Sequence, residues 1–385
     1  MVKVFSFQGA KKIVFGQGAV ENLPAEIEAL HGKRVLFVLD RGLKDVGVAE
    51  RVIDVAQRKG IGVVTYDEVT PEPAPSLADA AAALAKEKEC DLVVGVGGGS
   101  SLDVAKASAM LIKNGGKAEQ YIGLETVPER GLPTILIPTT AGTGSEVTFT
   151  AVFTMRDKKR KGGINSRFLY PDVALLDPSL TETLPPGPTA TTGADALTHA
   201  IEGYTSLQGN PMSDLVAREA IRLIGANLGR AVSNGKDREA RSNMLLASLM
   251  AGLALASAGV GACHALAYPL GAFFDVPHGL ANAVLLPYIM EFNLRAAETK
   301  YASVATLMDP ALSGNRGEVL AMASVDIVRA LTQRVGIPQT LTALKIPETA
   351  VSDMADMAMT VARPLANNPR EVTKEQAMEI YETAF

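Results

Sequence analysis

Cysteine is scarce in this 385-residue sequence, with Cys90 and Cys263 the only two. Two cysteines cannot build a disulfide framework, and neither belongs to a CxxC pair, which fits a reducing compartment. Basic residues are in deficit, 37 Lys and Arg against 42 Asp and Glu, for a net charge of −5. That balance favours solubility and argues against nucleic acid as a partner, since such a partner requires a basic face. The densest basic run, Arg156-Asp157-Lys158-Lys159-Arg160-Lys161, contains an acid and reads as a solvated turn. No apolar run reaches the ~18 residues of a membrane span, and Met250–Ala258 is too short. The opening MVKVFSFQGAKKIVFG lacks the apolar core and cleavage site of a signal peptide. A cytoplasmic protein is expected, with neither nucleic acid nor membrane among its partners.

The length suggests two domains. In the first half, short β-branched runs alternate with Ala-rich helical stretches. Arg34–Leu39, Gly62–Tyr66, Leu92–Val96 and Thr134–Pro138 read as buried parallel strands, with Asp172–Leu176 a further candidate. Between them, Val48–Lys59, Ser76–Glu89 and Leu102–Lys113 carry helical periodicity. This alternation predicts an α/β, Rossmann-like sheet covered by helices on both faces. From about residue 188 the strand pattern stops. Thr191–Tyr204, Met212–Leu228, Glu239–Ala258, His278–Arg295 and Val319–Val335 read as helices. The prolines and glycines of Leu184–Asp195 mark the change. The expected division is an α/β dinucleotide-binding domain over 1–187 and an all-α metal-binding domain over 188–385.

Two loops in the α/β half suit a dinucleotide. Gly97, Gly98, Gly99 and Ser100 follow a strand and lead into a helix containing Asp103. Glycines permit close backbone approach, and a helix N-terminus offers free N–H groups to phosphate. A tight turn would use the same glycines, but strand before and helix after favour pyrophosphate binding. The second loop carries Thr139, Thr140, Thr143 and Ser145 after another strand, a setting for phosphate or ribose contacts. Asp40 ends the first strong strand, where a carboxylate accepts from an adenosine ribose and repels a 2′-phosphate, favouring NAD over NADP. Arg41 beside it softens that discrimination.

Histidine is scarce too: His31, His199, His264 and His278 are all there are. Asp195 and His199 stand four apart in TGADALTHAIEGY, so a helix presents both on one face. His264 and His278 follow in GACHALAYPLGAFFDVPHGLANAVLLP. A single buried imidazole is usually a packing residue; three with an aspartate at helical spacing point to a cation. One carboxylate and three imidazoles suit Fe²⁺ or Zn²⁺ and suit Mg²⁺ or Ca²⁺ badly. His31, beside Gly32 ahead of the first strand, reads as a surface residue.

Taken together, GGGSSLDVAKA, IPTTAGTGSEVT, YPDVALLDPSLTETLP, TGADALTHAIEGY and the two-histidine segment resemble the iron-containing, or group III, alcohol dehydrogenases along essentially the whole chain. The resemblance implies a dehydroquinate-synthase-like α/β domain, an all-α domain, NAD and one divalent metal, Fe²⁺ in the family. Position by position, it implies Asp195, His199, His264 and His278 as metal ligands. It assigns Asp40, Gly97, Gly98, Gly99, Ser100, Asp103, Thr139, Thr140, Thr143, Ser145, Lys161 and Leu180 to the cofactor. One position departs: four residues after His264, where many members carry a second histidine, stands Tyr268. Its hydroxyl is a candidate proton relay, although an unperturbed phenol has a pKa of about 10.

The activity implied is hydride transfer between a nicotinamide and a small primary alcohol or aldehyde, with the metal polarising the substrate oxygen. The HALAYPLG form also resembles the branch holding 4-hydroxybutyrate dehydrogenases and hydroxyacid–oxoacid transhydrogenases, whose carboxylate substrates need a cation such as Lys161, Arg167 or Arg363. Remoter alternatives are a lyase on the dehydroquinate-synthase scaffold and a non-catalytic nucleotide-binding protein. Phe149, Phe153 and Phe273 are candidates to line the substrate pocket. The resemblance further implies a homodimer or larger homo-oligomer, with Phe5–Phe15 a candidate pairing strand.

Overall fold

The structure, a computed structural model, describes residues 4–158, 160–314 and 317–385. It divides into two units, Gly9–Leu184 and Pro185–Phe385, and the segment ending at Gln8 belongs with the second.

Among the described residues, the first unit has strands β1 (Lys12–Phe15), β2 (Arg34–Asp40), β3 (Gly62–Val69), β4 (Leu92–Gly97), β5 (Gly123–Leu124), β6 (Thr134–Pro138), β7 (Thr150–Met155), β8 (Arg160–Asn165) and β9 (Val173–Leu176). Its helices are α1 (Leu23–Ala29), α2 (Gly42–Asp45), α3 (Val48–Gln57), α4 (Pro75–Glu87) and α5 (Gly99–Asn114). Six strands form a sheet in the order β1-β9-β6-β4-β2-β3, parallel throughout. The unbroken apolar runs follow from burial of both faces. Val35, Phe37 and Leu39 of β2 enter one core, with Val52 and Val55 of α3; Leu36 and Val38 enter the other, with Ala81 and Leu102 of α4 and α5. β4 and β6 divide the same way, Val94 and Ile135 to one side, Val93 and Leu136 to the other.

The chain passes from β2 outward to β3 and then returns to place β4 on the opposite side of β2. The order of the sheet therefore reverses between β2 and β4, and the loops at the carboxyl ends of such a pair are where open α/β sheets bind ligands. A second sheet, β5-β8-β7, was not legible in the sequence. β8 reads RKGGIN and shows no apolar alternation. The basic run divides accordingly. Arg156–Lys158 is a single 3₁₀ turn, Arg160 and Lys161 already belong to β8, and Lys159 lies outside the described residues. Phe153, expected to line a pocket, is fully buried against the α4–α5 face and is a core residue instead.

The second unit is helical: α6 (Pro186–Thr205), α7 (Pro211–Ser233), α8 (Arg238–Ala258), α9 (Ala262–Phe274), α10 (His278–Asn293), α11 (Glu298–Met308), α12 (Gly317–Arg334), α13 (Val351–Met359), α14 (Ala362–Asn367) and α15 (Lys374–Thr383). Local chemistry explains the starts. Pro186 opens α6, where its missing N–H costs nothing. Asn210 caps α7 by accepting from Met212 and Ser213, and Asp237 caps α8 by accepting from Ala240. Among the described residues no single helix is long and apolar enough to cross a membrane; α8 and α9 pass such a test only as a pair, bent by 104°.

Candidate active site

Three helices of the second unit build the site. α6 carries Asp195, His199 and Glu202 at i, i+4 and i+7, a single face. α9 carries His264 in its first turn, and α10 begins at His278. The start of α10 lies hard against α6: a Cβ on Gly279 would come within 2.7 Å of the Thr191 carbonyl oxygen and 3.2 Å of the Asp195 Cβ. That close approach, open only to glycine, brings His278 to Asp195.

Asp195, His199, His264 and His278 each offer one ligand atom, and these atoms all lie within 4.8 Å of one another. Asp195, His199 and His264 are buried, and His278 is half-buried. The His199 and His264 rings stack with centroids 4.8 Å apart, and His278 stands edge-on to His264 at 5.2 Å. Burial alone would raise the Asp195 pKa; the His199, His278 and His264 imidazoles outweigh it and hold the carboxyl below its ordinary range.

Two residues that the sequence reading did not single out complete the arrangement. Glu202 Oε2 lies 2.5 Å from His264 Nδ1, and Oε1 accepts from the Cys263 amide at 2.7 Å. With Nδ1–H donated to Glu202, the lone pair of His264 is on Nε2, facing the other ligand atoms. Asn282 donates its amide to Asp195 Oδ1 at 2.8 Å and stands 3.1 Å from His264 Nε2 and 3.3 Å from His278 Nε2. Its own Oδ1 is buried without a hydrogen-bond partner among the described residues. Ligand atoms of three residues thus converge on one N–H donor group, where a cation would engage the same atoms; one carboxylate and three imidazoles are the donor set for Fe²⁺ or Zn²⁺. Helical spacing carried the missing signal, since Glu202 is three residues after His199 and Asn282 four after His278. Tyr268, one turn beyond His264, is half-buried with its ring 5.9 Å from that of His278.

The predicted cofactor residues of the first unit divide into two groups. Asp40, at the end of β2, accepts from the Leu43 amide, and its Oδ2 lies 3.4 Å from where a Cβ on Gly97 would stand. Gly97 has a φ of +143°, which side-chain-bearing residues rarely adopt. The two loops run alongside each other: the Thr139 amide donates to the Gly97 carbonyl at 3.0 Å, and Gly98 faces Thr140. Gly99 and Ser100 open α5, whose first-turn amides are those a phosphate would use. Asp103 differs from these: both carboxylate oxygens are engaged within the protein, by Ser145 Oγ at 2.6 Å and the Val152 amide at 2.9 Å. Lys161 is buried in an ion pair with Glu72 at 2.5 Å. The Leu180 side chain lies in the core beneath the sheet, which leaves its backbone for any contact.

The comparisons with known proteins agree with this geometry. Residues 10–178 match the family model for the iron-containing alcohol dehydrogenases, and residues 189–385 match the C-terminal model of the same family. The long-chain-alcohol dehydrogenase 1 of Geobacillus thermodenitrificans is 41% identical over 377 residues, 96% of this chain and 94% of that protein. A crystal structure of a 1,3-propanediol oxidoreductase superposes with a TM-score of 0.97 at 37% identity, covering 100% of both chains. A sulfoacetaldehyde reductase from Bifidobacterium kashiwanohense, solved in complex with NAD⁺, has a TM-score of 0.89 at 32% identity and covers 99% of both. The chain belongs to the iron-containing alcohol dehydrogenase family. It is an oxidoreductase acting on CH–OH groups, metal-dependent and NAD(H)-dependent as that family is.

Proposed function

We propose that the protein interconverts small primary alcohols and their aldehydes, with Asp195, His199, His264 and His278 as the metal ligands and Asp40, Gly97–Ser100, Thr139, Thr140, Thr143 and Ser145 as the dinucleotide cradle. The convergence of four ligand atoms within 4.8 Å carries this reading. Bound there, Fe²⁺ supplies Lewis acidity toward the substrate oxygen, and NAD(H) supplies the hydride chemistry. The chain's own part is placement. Glu202 fixes the tautomer and orientation of His264, and Asn282 orients Asp195. Tyr268, beside His278, is the residue we assign to relaying the hydroxyl proton.

A small neutral substrate is favoured over a 4-hydroxy acid. A carboxylate calls for a cation, yet Lys161 is engaged by Glu72, and Arg167 is 71% exposed and paired with Glu125, which leaves only Arg363 of the three candidates. The long-chain-alcohol and propanediol enzymes among the relatives take uncharged alcohols by name, whereas the sulfoacetaldehyde reductases take a sulfonate.

The test compares metal-stripped protein with protein reloaded with Fe²⁺ or Zn²⁺, under anaerobic conditions, against butanal, glycolaldehyde, methylglyoxal and succinate semialdehyde. NADH consumption is expected only with metal and is expected to be fastest with a neutral aldehyde. A preference for succinate semialdehyde would move the assignment to the 4-hydroxy-acid branch. His278→Ala is expected to lose bound metal and turnover while retaining NADH binding; full activity without bound metal would refute the ligand assignment.

We also assign the protein to the cytoplasm and to a homodimer. The two free, buried cysteines support the first. β1 supports the second, as an edge strand of the large sheet with Ile13 40% exposed. Light scattering would test the dimer.

A further inference from the structure

Lys106 lies two turns into α5, and its side chain is fully buried. An ammonium group taken out of water is costly unless it is both paired and hydrogen-bonded. Here Nζ donates to the Ser145 carbonyl at 3.0 Å, to Thr148 Oγ1 at 3.4 Å and to the Thr150 carbonyl, and it pairs with Asp103 at 3.1 Å. Apart from Asp103, every partner lies on the stretch that leads from the second cofactor loop into β7. Asp103, nearly one turn earlier on the helix, binds Ser145 Oγ and the Val152 amide of that same stretch. One turn earlier again, a Cβ on Gly99 would stand 2.8 Å from Thr143 Cγ2. Positions 99, 103 and 106 are spaced i, i+4 and i+7 and form one stripe of α5. Gly99 meets Thr143, and Asp103 and Lys106 together hold Ser145 and residues 148–152.

We propose that Lys106 is a positioning residue that, with Asp103, locks the glycine loop and the threonine loop into one rigid cradle, and so sets how tightly NAD(H) is held. Asp103 thereby acts as a strut between the loops. This rests on the dinucleotide placement proposed above. A cradle that binds the nucleotide alike in ground and transition states affects affinity and leaves the chemical step alone.

The experiment is a fluorescence titration of metal-free wild type and Lys106→Met with NADH, followed by steady-state kinetics of the Fe²⁺-loaded proteins. The Kd and KM for NADH are expected to rise about tenfold or more, with kcat at saturating NADH within about threefold. A variant Kd within about twofold of wild type would overturn the proposal, as would a fall in kcat at unchanged Kd. Failure of the wild type itself to bind NADH would instead sink the loop assignment on which the proposal stands. If Lys106→Met does not fold, the double variant Asp103→Asn with Lys106→Met removes the opposite charges together, and the same criteria apply.

Discussion

Glu146, in the short turn after the threonine loop, provides the sharpest quantitative prediction. It is fully buried, and its Oε1 has no hydrogen-bond partner among the described residues. Burial pushes its pKa from 4.5 up to about 7, against the opposing pull of its own backbone amide and of Lys106. The carboxyl is thus protonated in the folded protein at pH values where the unfolded chain has already ionised. Because the folded pKa is the higher one, the group's contribution to stability is complete below pH 4.5 and is lost as pH rises through about 7. At about 1.36 kcal/mol per pH unit, the separation is worth about 3 kcal/mol, most of it lost between pH 5 and 8. Glu146→Gln retains the neutral shape at every pH. The variant is therefore expected to match the wild type within about 1 kcal/mol at pH 5 and to exceed it by about 3 kcal/mol at pH 8. In calorimetry, at ~2–4 °C per kcal/mol for a unit of this size, the gap in Tm should widen by about 5–10 °C between the two conditions. An equal gap at pH 5 and pH 8 would refute a neutral buried carboxyl at this position.

The remaining predictions concern the two sites. Glu202→Gln should lower metal affinity about 10–100-fold by weakening the anchor on His264 Nδ1, measured by chelator competition; unchanged affinity would remove Glu202 from the site. Gly279→Ala places a methyl group 2.7 Å from the Thr191 carbonyl and should cost about 1–3 kcal/mol of stability together with metal occupancy, read by thermal melts and metal analysis. Asp40→Ala should shift the ratio of kcat/KM values for NADPH and NADH about tenfold toward NADPH, as expected on removing a charge that repels a 2′-phosphate; an unchanged ratio would show that Asp40 does not face the ribose.

Much of this arrangement was legible in the sequence because it rests on short-range regularities. The runs at β2, β4 and β6 could be read as buried parallel strands because both of their faces are apolar, and the structure divides them between two cores. Asp195 and His199 could be paired because helical geometry turns a spacing of four into a shared face. Glu202 and Asn282 obey the same geometry. They went unread because a lone glutamate or asparagine in an apolar helix carries no chemical signal until the group it touches is known.

What stayed illegible depends on contacts distant in sequence. β8 has two glycines and a basic end, so its pairing with β7 and, far earlier in the chain, with β5 makes it a strand. Phe153 looked like a pocket residue by type, but packing decides where an apolar side chain points, and it points into a core; the Leu180 side chain does too, which leaves its backbone for any cofactor contact. Asp103 and Lys106 show the same limit in a polar setting. Either would serve as a ligand contact if exposed, and a sequence motif cannot distinguish an exposed pair from a buried one. Burial and partner geometry can: an aspartate whose two oxygens already accept from Ser145 and Val152, beside an ammonium group bonded to the carbonyls of Ser145 and Thr150, is tied to the scaffold. In this protein the residues that hold the cradle together therefore carry the same motif as those proposed to touch the nucleotide, and perturbing one of each, Lys106 and Asp40, should separate affinity from cofactor choice.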